Sequence, residues 1–432
     1  MLVDVPYWSS WQAGSDPCTG GTDGGPWYGV DCTDNNGRET ANVQGLTLDN
    51  PTVDSVVVKQ GKGVITTYRL SDKLTFTLGA GLTGLKQLKY LSISNLPLVT
   101  GGLPASYKTL GLLRLEISNT GMGGDTKTAL PVSTFSKLLE LYIDNNKFTG
   151  ILPALPQQLE RVQFTNERLL TGAFPTFANM PSLTAIELGN LQGLTGTWPT
   201  TWGALPALQD LIVHSMRGLT GDLSKIALPA NIGKLDLDSI PKLTGAWPSA
   251  VNNKLKKMYQ ISISNLPLTG SVPAALPASL NSLSLNKLPK LAGKWPAGWS
   301  GLKQLQELAI TNNPGFTGAL PELAQLPPNV VSLDLSGNGL AGPLPASWSS
   351  KGALAGLRSV ALFGNTGLKG AIPSQWSAST SPLYYNEDLG AIGPDLFLKP
   401  TTAVCGIVKN LNALEYVPKT PNSPKTLKTL GT

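Results

Sequence analysis

The side chains of this sequence that could do chemistry are chiefly carboxylates spaced along the chain: Glu116, Glu140, Asp144, Glu187, Asp210, Asp236 and Asp238. Catalysis needs acid, base, nucleophile or metal ligands held in convergent geometry, and these carboxylates are spread along the chain rather than paired. His214 is the single histidine, no phosphate-binding or dinucleotide-binding glycine pattern occurs, and no Cys/His cluster has ligand spacing. The pattern points away from an enzyme and calls for no cofactor and no metal. A line of carboxylates can instead complement a basic peptide or protein loop, because opposite charge steers approach and selects partners. Tyr90, Arg114, Tyr142 and Arg161 edge the acidic line, and His214, between Asp210 and Asp238, could make binding pH-dependent because its charge changes near neutrality. The bland alternative is that any exposed strand face is polar. It is the clustering that favours a ligand-binding face.

Those residues sit in short alternating segments such as Leu91-Ser-Ile93, Leu115-Glu-Ile117, Leu141-Tyr-Ile143, Ile186-Glu-Leu188, Leu235-Asp-Leu237 and Leu333-Asp-Leu335. Alternation over so few residues predicts a short strand with one face buried and the intervening side chains outward. Between the strands runs a second signal, LTGTWP at Leu194–Pro199 and its variants FTGILP, LTGAFP, LTGAWP, LTGSVP, FTGALP and LAGPLP, whose glycines recur about every 24 residues. A fixed period of that size means a stack of rungs, each burying its apolar face against its neighbours. The strands then form a parallel sheet and the candidate residues lie side by side on its open face.

Composition agrees with an ordered, turn-rich array: 47 Gly and 34 Pro fall mostly at fixed places in the repeat, and only 14% of residues are charged. The net charge is +6, but Lys409, Lys419, Lys425 and Lys428 against Glu415 place half of that excess near the C-terminus. The repeat body is close to neutral, which argues against nucleic acid as a partner. No apolar run approaches the roughly 18 residues of a membrane span, and Met1 to Trp11 lacks the pattern of a secretory signal. Of three cysteines, Cys18 and Cys32 lie close together before the repeats; a disulfide sealing the open end of the stack is favoured over a metal site. Cys405 reads as a buried thiol or an intermolecular bridge. The expected divisions are a cap at 1–45, repeats over 46–380 with an irregular insertion near 50–75, a C-terminal cap at 381–416, and a disordered Pro- and Lys-rich tail at 417–432. Val56 to Leu70 reads as two strand-like runs about a glycine-containing turn.

Leu333-Asp-Leu335-Ser-Gly-Asn338-Gly-Leu340-Ala-Gly342-Pro-Leu344-Pro345 resembles the plant-type leucine-rich repeat, LxLxxNxLxGxIP, almost position for position, as does Leu141 to Pro153. Trp11 to Cys32 is similar to that family's N-terminal cap, and the Trp-rich rungs, such as Leu344 to Trp348, look more like green-algal members. The resemblance, to receptor ectodomains and polygalacturonase-inhibiting proteins, implies a curved leucine-rich-repeat solenoid of roughly thirteen repeats, with a second, smaller sheet at the Thr-Gly segment. It also implies an extracellular or cell-surface setting. The sequence departs from the family where Leu96, Leu191, Met216, Ile240, Leu266 and Leu288 replace the stacked asparagine kept at Asn146, Asn313, Asn338 and Asn365. The expected function is non-catalytic recognition, through the concave sheet, of a peptide, a protein or a wall polysaccharide. The competing reading is a scaffold subunit of a cytoplasmic or ciliary assembly. Glycosidase inhibition and ice binding, the latter suggested by Thr149, Thr171, Thr195, Thr220, Thr244, Thr269 and Thr317, are outsiders. Trp198, Trp202, Trp247, Trp295, Trp299, Trp348 and Trp376 stand where aliphatics usually do and read as core rather than as sugar-stacking platforms.

Overall fold

A computed structural model of the protein describes residues 77–251 and 255–349, with short pieces at 18, 30–32, 45–49, 56–60, 63–68, 356–357, 359–362, 364–369, 396–397, 414–415 and 428–429. Most of the expected cap at 1–45, nearly all of the C-terminal cap and tail, Trp376 and Cys405 lie outside the described residues. The chain divides into two compact units, Met1–Thr201 with Leu205–Leu208, and Trp202–Ala204 with Gln209–Thr432.

In the first unit Val30–Asp31 pairs antiparallel with Gly45–Asp49, after which every rung adds one parallel strand: Tyr90–Ser94, Arg114–Ser118, Glu140–Asp144, Arg161–Thr165 and Ala185–Gly189. The register is strict. Leu91, Leu115, Leu141, Val162 and Ile186 are consecutive partners, and so are Ile93, Ile117, Ile143, Phe164 and Leu188. All ten are buried, so the period-two alternation has one outcome: apolar side chains inward, polar ones outward. A second parallel sheet joins Gly123–Asp125, Lys147–Ile151, Leu170–Ala173 and Gly193–Thr197. Cys18 and Cys32 are joined by a disulfide, and Val56–Gln60 pairs antiparallel with Gly63–Tyr68.

The second unit repeats the plan with Asp210–His214, Lys234–Asp238, Gln260–Ser264, Ser282–Asn286, Glu307–Thr311, Ser332–Asp334 and Ser359–Ala361 in parallel order. Its smaller sheet runs from Leu219–Asp222 through Leu243–Ala246, Leu268–Ser271, Leu291–Gly293, Gly315–Gly318 and Gly339–Pro343 to Gly367–Lys369. Trp202, Trp299 and Trp348 are fully buried, as expected of core positions, whereas Trp247 and Trp295 are half-buried.

The chain leaves most large-sheet strands through a left-handed residue. In the first unit these are Asn95, Asn119, Asn145, Asn166 and Asn190, all with φ between 50° and 56°. Asparagine tolerates that conformation better than most residues because its short side chain bonds locally. Here the amides also bond one another: Asn145 donates to Asn119, and Asn190 to Asn166. One residue later comes the buried ladder. In the second unit the Oδ1 atoms of Asn313, Asn338 and Asn365 accept backbone N–H groups of Leu288, Asn313 and Leu340, and their Nδ2 groups donate to Leu285, Ile310 and Leu335 carbonyls. Where these positions are Met216, Ile240 or Leu266 the side chain is buried in apolar packing instead.

Candidate ligand-binding site

On the large sheet of the first unit the outward residues form a register-matched grid. One row holds Tyr90, Arg114, Glu140, Arg161 and Ala185, the next Ser92, Glu116, Tyr142, Gln163 and Glu187, and a third ends each strand with Ser94, Ser118, Asp144, Thr165 and Gly189. Strand neighbours stand about 4.8 Å apart, so long side chains on adjacent rungs meet. Arg114 meets two side chains of the next rung and one of its own strand. Its guanidinium lies 3.0 Å from Glu116 Oε2 and 3.6 Å from Glu140 Oε2, and its carbon sits 4.5 Å from the centroid of the Tyr142 ring. Tyr142 in turn donates its hydroxyl to Glu140 Oε2 at 3.2 Å. Burial and then the Glu140 carboxylate raise the Tyr142 pKa. Each contact is half-exposed and worth at most about 1 kcal/mol. Their joint effect is to fix four side chains in one arrangement, with Arg161 on the next rung and Tyr90 on the previous one.

Asp144 points outward as the alternation requires, but it is occupied. Its Oδ1 accepts from Thr165 Oγ1 at 2.6 Å and Asn166 Nδ2 at 2.8 Å, and its Oδ2 accepts from Ser118 at 3.3 Å. The same device holds Asp238 in the second unit, through Ser264 Oγ and, at 2.7 Å, Asn265 Nδ2. Burial would raise the Asp238 pKa, yet those bonds, one from Ser239 and the charge of His214 overcome it and hold the carboxyl below its usual range. His214 and Asp238 are register partners. Both aspartates therefore stitch strand ends together, which shrinks the acidic line expected from the sequence.

Asp210 and Asp236 also face outward in the second unit, from the first and third positions of their strands. Tyr259 crosses a rung to donate its hydroxyl to Asp210 Oδ1 at 3.3 Å. It can do so because Gly233 lies beneath the ring: a Cβ there would stand 2.8 Å from Tyr259 Cε1. Burial and then Asp210 raise the Tyr259 pKa. In Gly233→Ala the ring is expected to swing off Asp210, and the Tyr259 signal of ¹³C-tyrosine-labelled protein should titrate closer to the ordinary tyrosine value; an unchanged midpoint would show that the ring does not depend on the glycine.

Two positions of the buried ladder escaped the sequence reading. Thr120 and Glu167 occupy it on either side of Asn146, and both are buried. Only the spacing after the strand marks them, since neither is asparagine. Elsewhere in the first unit an apolar cleft of about 540 Å³ lies among residues that include Ile151, Pro153, Phe164, Pro175, Phe177 and Met180. No ionisable group lines it. Among the described residues no set of three His, Cys, Asp or Glu side chains gathers to hold a metal, and no helix is long and apolar enough to cross a membrane.

A family model, Leucine Rich Repeat, matches residues 137–159 and 329–350. No curated protein matches the sequence. Among solved structures the chain is similar to the plant peptide hormone receptor RGFR1 in complex with RGF2, at 21% identity over 78% of this chain and 57% of that one, with a TM-score of 0.51. A TDR receptor gives 22% identity over 78% and 55%, with a TM-score of 0.57. The Arabidopsis receptor kinase HAESA, in complex with the peptide hormone IDA and the co-receptor SERK1, gives 21% over 76% and 58%, with a TM-score of 0.52. The chain thus spans less than two thirds of each, and at such identity the likeness bears on fold. Repeat matches in both units, two parallel sheets repeating rung by rung and these neighbours together show a leucine-rich-repeat solenoid fold.

Proposed function

We propose that the protein is a non-catalytic recognition module that binds a peptide or protein segment on the outward face of the large sheet in its first unit. The observation that carries this reading is the Arg114, Glu116, Glu140 and Tyr142 cluster, with its ion pairs and the guanidinium over the tyrosine ring. Such side chains are ordered before a ligand arrives, so docking costs less conformational entropy than on a face of free-moving lysines or glutamates. Arginine and tyrosine are also the residue types that most often anchor interfaces. The cluster carries both signs of charge, and with Asp144 and Asp238 occupied a ligand of mixed charge fits it better than a purely basic one. Two of the neighbours were solved with peptide hormones, which supports a polypeptide over a wall polysaccharide. The Cys18–Cys32 bridge favours an oxidising, extracellular setting over a cytoplasmic or ciliary scaffold.

Panning a random peptide library on the folded protein tests this. A convergent motif containing both an acidic and a basic residue is expected. Recovery no better than on heat-unfolded protein would refute the proposal.

A further inference from the structure

Glu167 is a carboxyl group in an asparagine's place. It follows the strand Arg161–Thr165 and the left-handed Asn166, at the position that Asn146 holds one rung earlier. It is fully buried. Its Oε1 accepts two bonds from Asn146, from the backbone N–H at 2.8 Å and from Nδ2 at 2.9 Å. Its Oε2 is buried and has no hydrogen-bond partner among the described residues.

The asparagine rungs show what that second atom ordinarily does. Asn146 Nδ2 also donates to the Ile117 carbonyl at 2.9 Å, as Asn313, Asn338 and Asn365 do to carbonyls of strands before them. By the same register the carbonyl available to a donor at Glu167 is that of Ile143, the partner of Ile117. A carboxylate has no hydrogen to give it. A carboxylic acid has one.

We propose that Glu167 is a proton-operated latch in the ladder: with a proton on Oε2 its rung closes as the asparagine rungs do, and release of that proton to solvent leaves a half-satisfied buried carboxylate that loosens the rung beneath the outward face. Glu167 is bonded to Asn146, and its chain neighbours Thr165 and Asn166 bond Asp144, which joins the strands Glu140–Asp144 and Arg161–Thr165. The charged groups near it are few. Asp144 repels the ionised form; Lys147 and Arg168, on the flanking segments, have exposed side chains. Burial, the largest influence, outweighs the bonds from Asn146 and the weaker influence of the Phe148 backbone N–H, and raises the Glu167 pKa to about 7.

The sign follows from linkage. A folded-state pKa above the unfolded value means that the native protein holds the extra proton between the two. Its stabilising effect is complete below the ordinary glutamate range and is lost as pH rises through about 7. Full-length wild type and Glu167→Gln, which cannot ionise, are compared by denaturant unfolding from pH 5 to 8.5. The ratio of the wild-type to the variant unfolding constant is expected to rise about 100-fold across that range. A ratio that stays constant within about threefold overturns the proposal. Should the variant not fold, ¹³C titration of the Glu167 carboxyl in wild type decides: a midpoint above about 6, with faster exchange of the Asn146 amide on the alkaline side, supports the latch, and a midpoint below it sinks the idea.

Discussion

Replacing Asn313 by alanine is expected to lower the unfolding free energy by about 2–5 kcal/mol. Asn313 is fully buried, and its side chain meets two backbone groups that have no access to water. Oδ1 accepts the Leu288 N–H at 2.8 Å and Nδ2 donates to the Leu285 carbonyl at 3.0 Å. Alanine removes both partners while the backbone groups stay where the sheet register puts them. Each buried group left unpaired costs about 1–3 kcal/mol, far more than the net gain from making one such bond. The backbone N–H of Asn313 still reaches Asn338 Oδ1, so the damage should stay within one rung. Denaturant unfolding measures it, and a loss below about 0.5 kcal/mol, the level of an ordinary surface change, would mean that the ladder is ornamental.

Trp299→Ala is expected to cost about 3–5 kcal/mol. The indole is fully buried, stands edge-on to Trp295 at 5.3 Å between centroids, and donates Nε1–H to the Pro273 carbonyl at 3.0 Å. Alanine opens a cavity that the close-packed interior can collapse to fill only in part. Phenylalanine separates the two contributions. It keeps most of the buried area and orphans only the Pro273 carbonyl, so it should cost about 1–3 kcal/mol. Equal losses for the two variants would assign the effect to the hydrogen bond rather than to packing.

The fold was legible because its determinants are local and periodic. Leu141, Ile143, Phe148 and Gly150 reappear in the next rung as Val162, Phe164, Leu170 and Gly172, the last two one residue later, with the same burial. The pairing of Cys18 with Cys32 was legible from their closeness in sequence before an open end of the stack. The site was legible only in part. Alternation correctly turned Arg114, Glu116, Glu140 and Tyr142 outward, but it could not reveal that Asp144 is claimed by Thr165 and Asn166, or Asp238 by Ser264 and Asn265. Those partners come from the following rung, through side chains that the repeat pattern leaves free to vary. Tyr259 reaches Asp210 only because Gly233 lacks a side chain, a coincidence of three rungs. Glu167 was missed because it breaks the asparagine signature while keeping its place.

The outward face of the first unit, not the Thr-Gly sheet, is expected to take the ligand. The most direct measurement is titration of a library-selected peptide against wild type, against the pair Glu140→Lys with Tyr142→Ala, and against Thr171→Lys, an exposed residue on the smaller sheet. The face pair should weaken binding at least about tenfold while the protein stays folded, with a stability loss of no more than about 2 kcal/mol, and Thr171→Lys should leave binding within about twofold. A peptide that binds the face pair as wild type, or is lost in Thr171→Lys, would contradict the account.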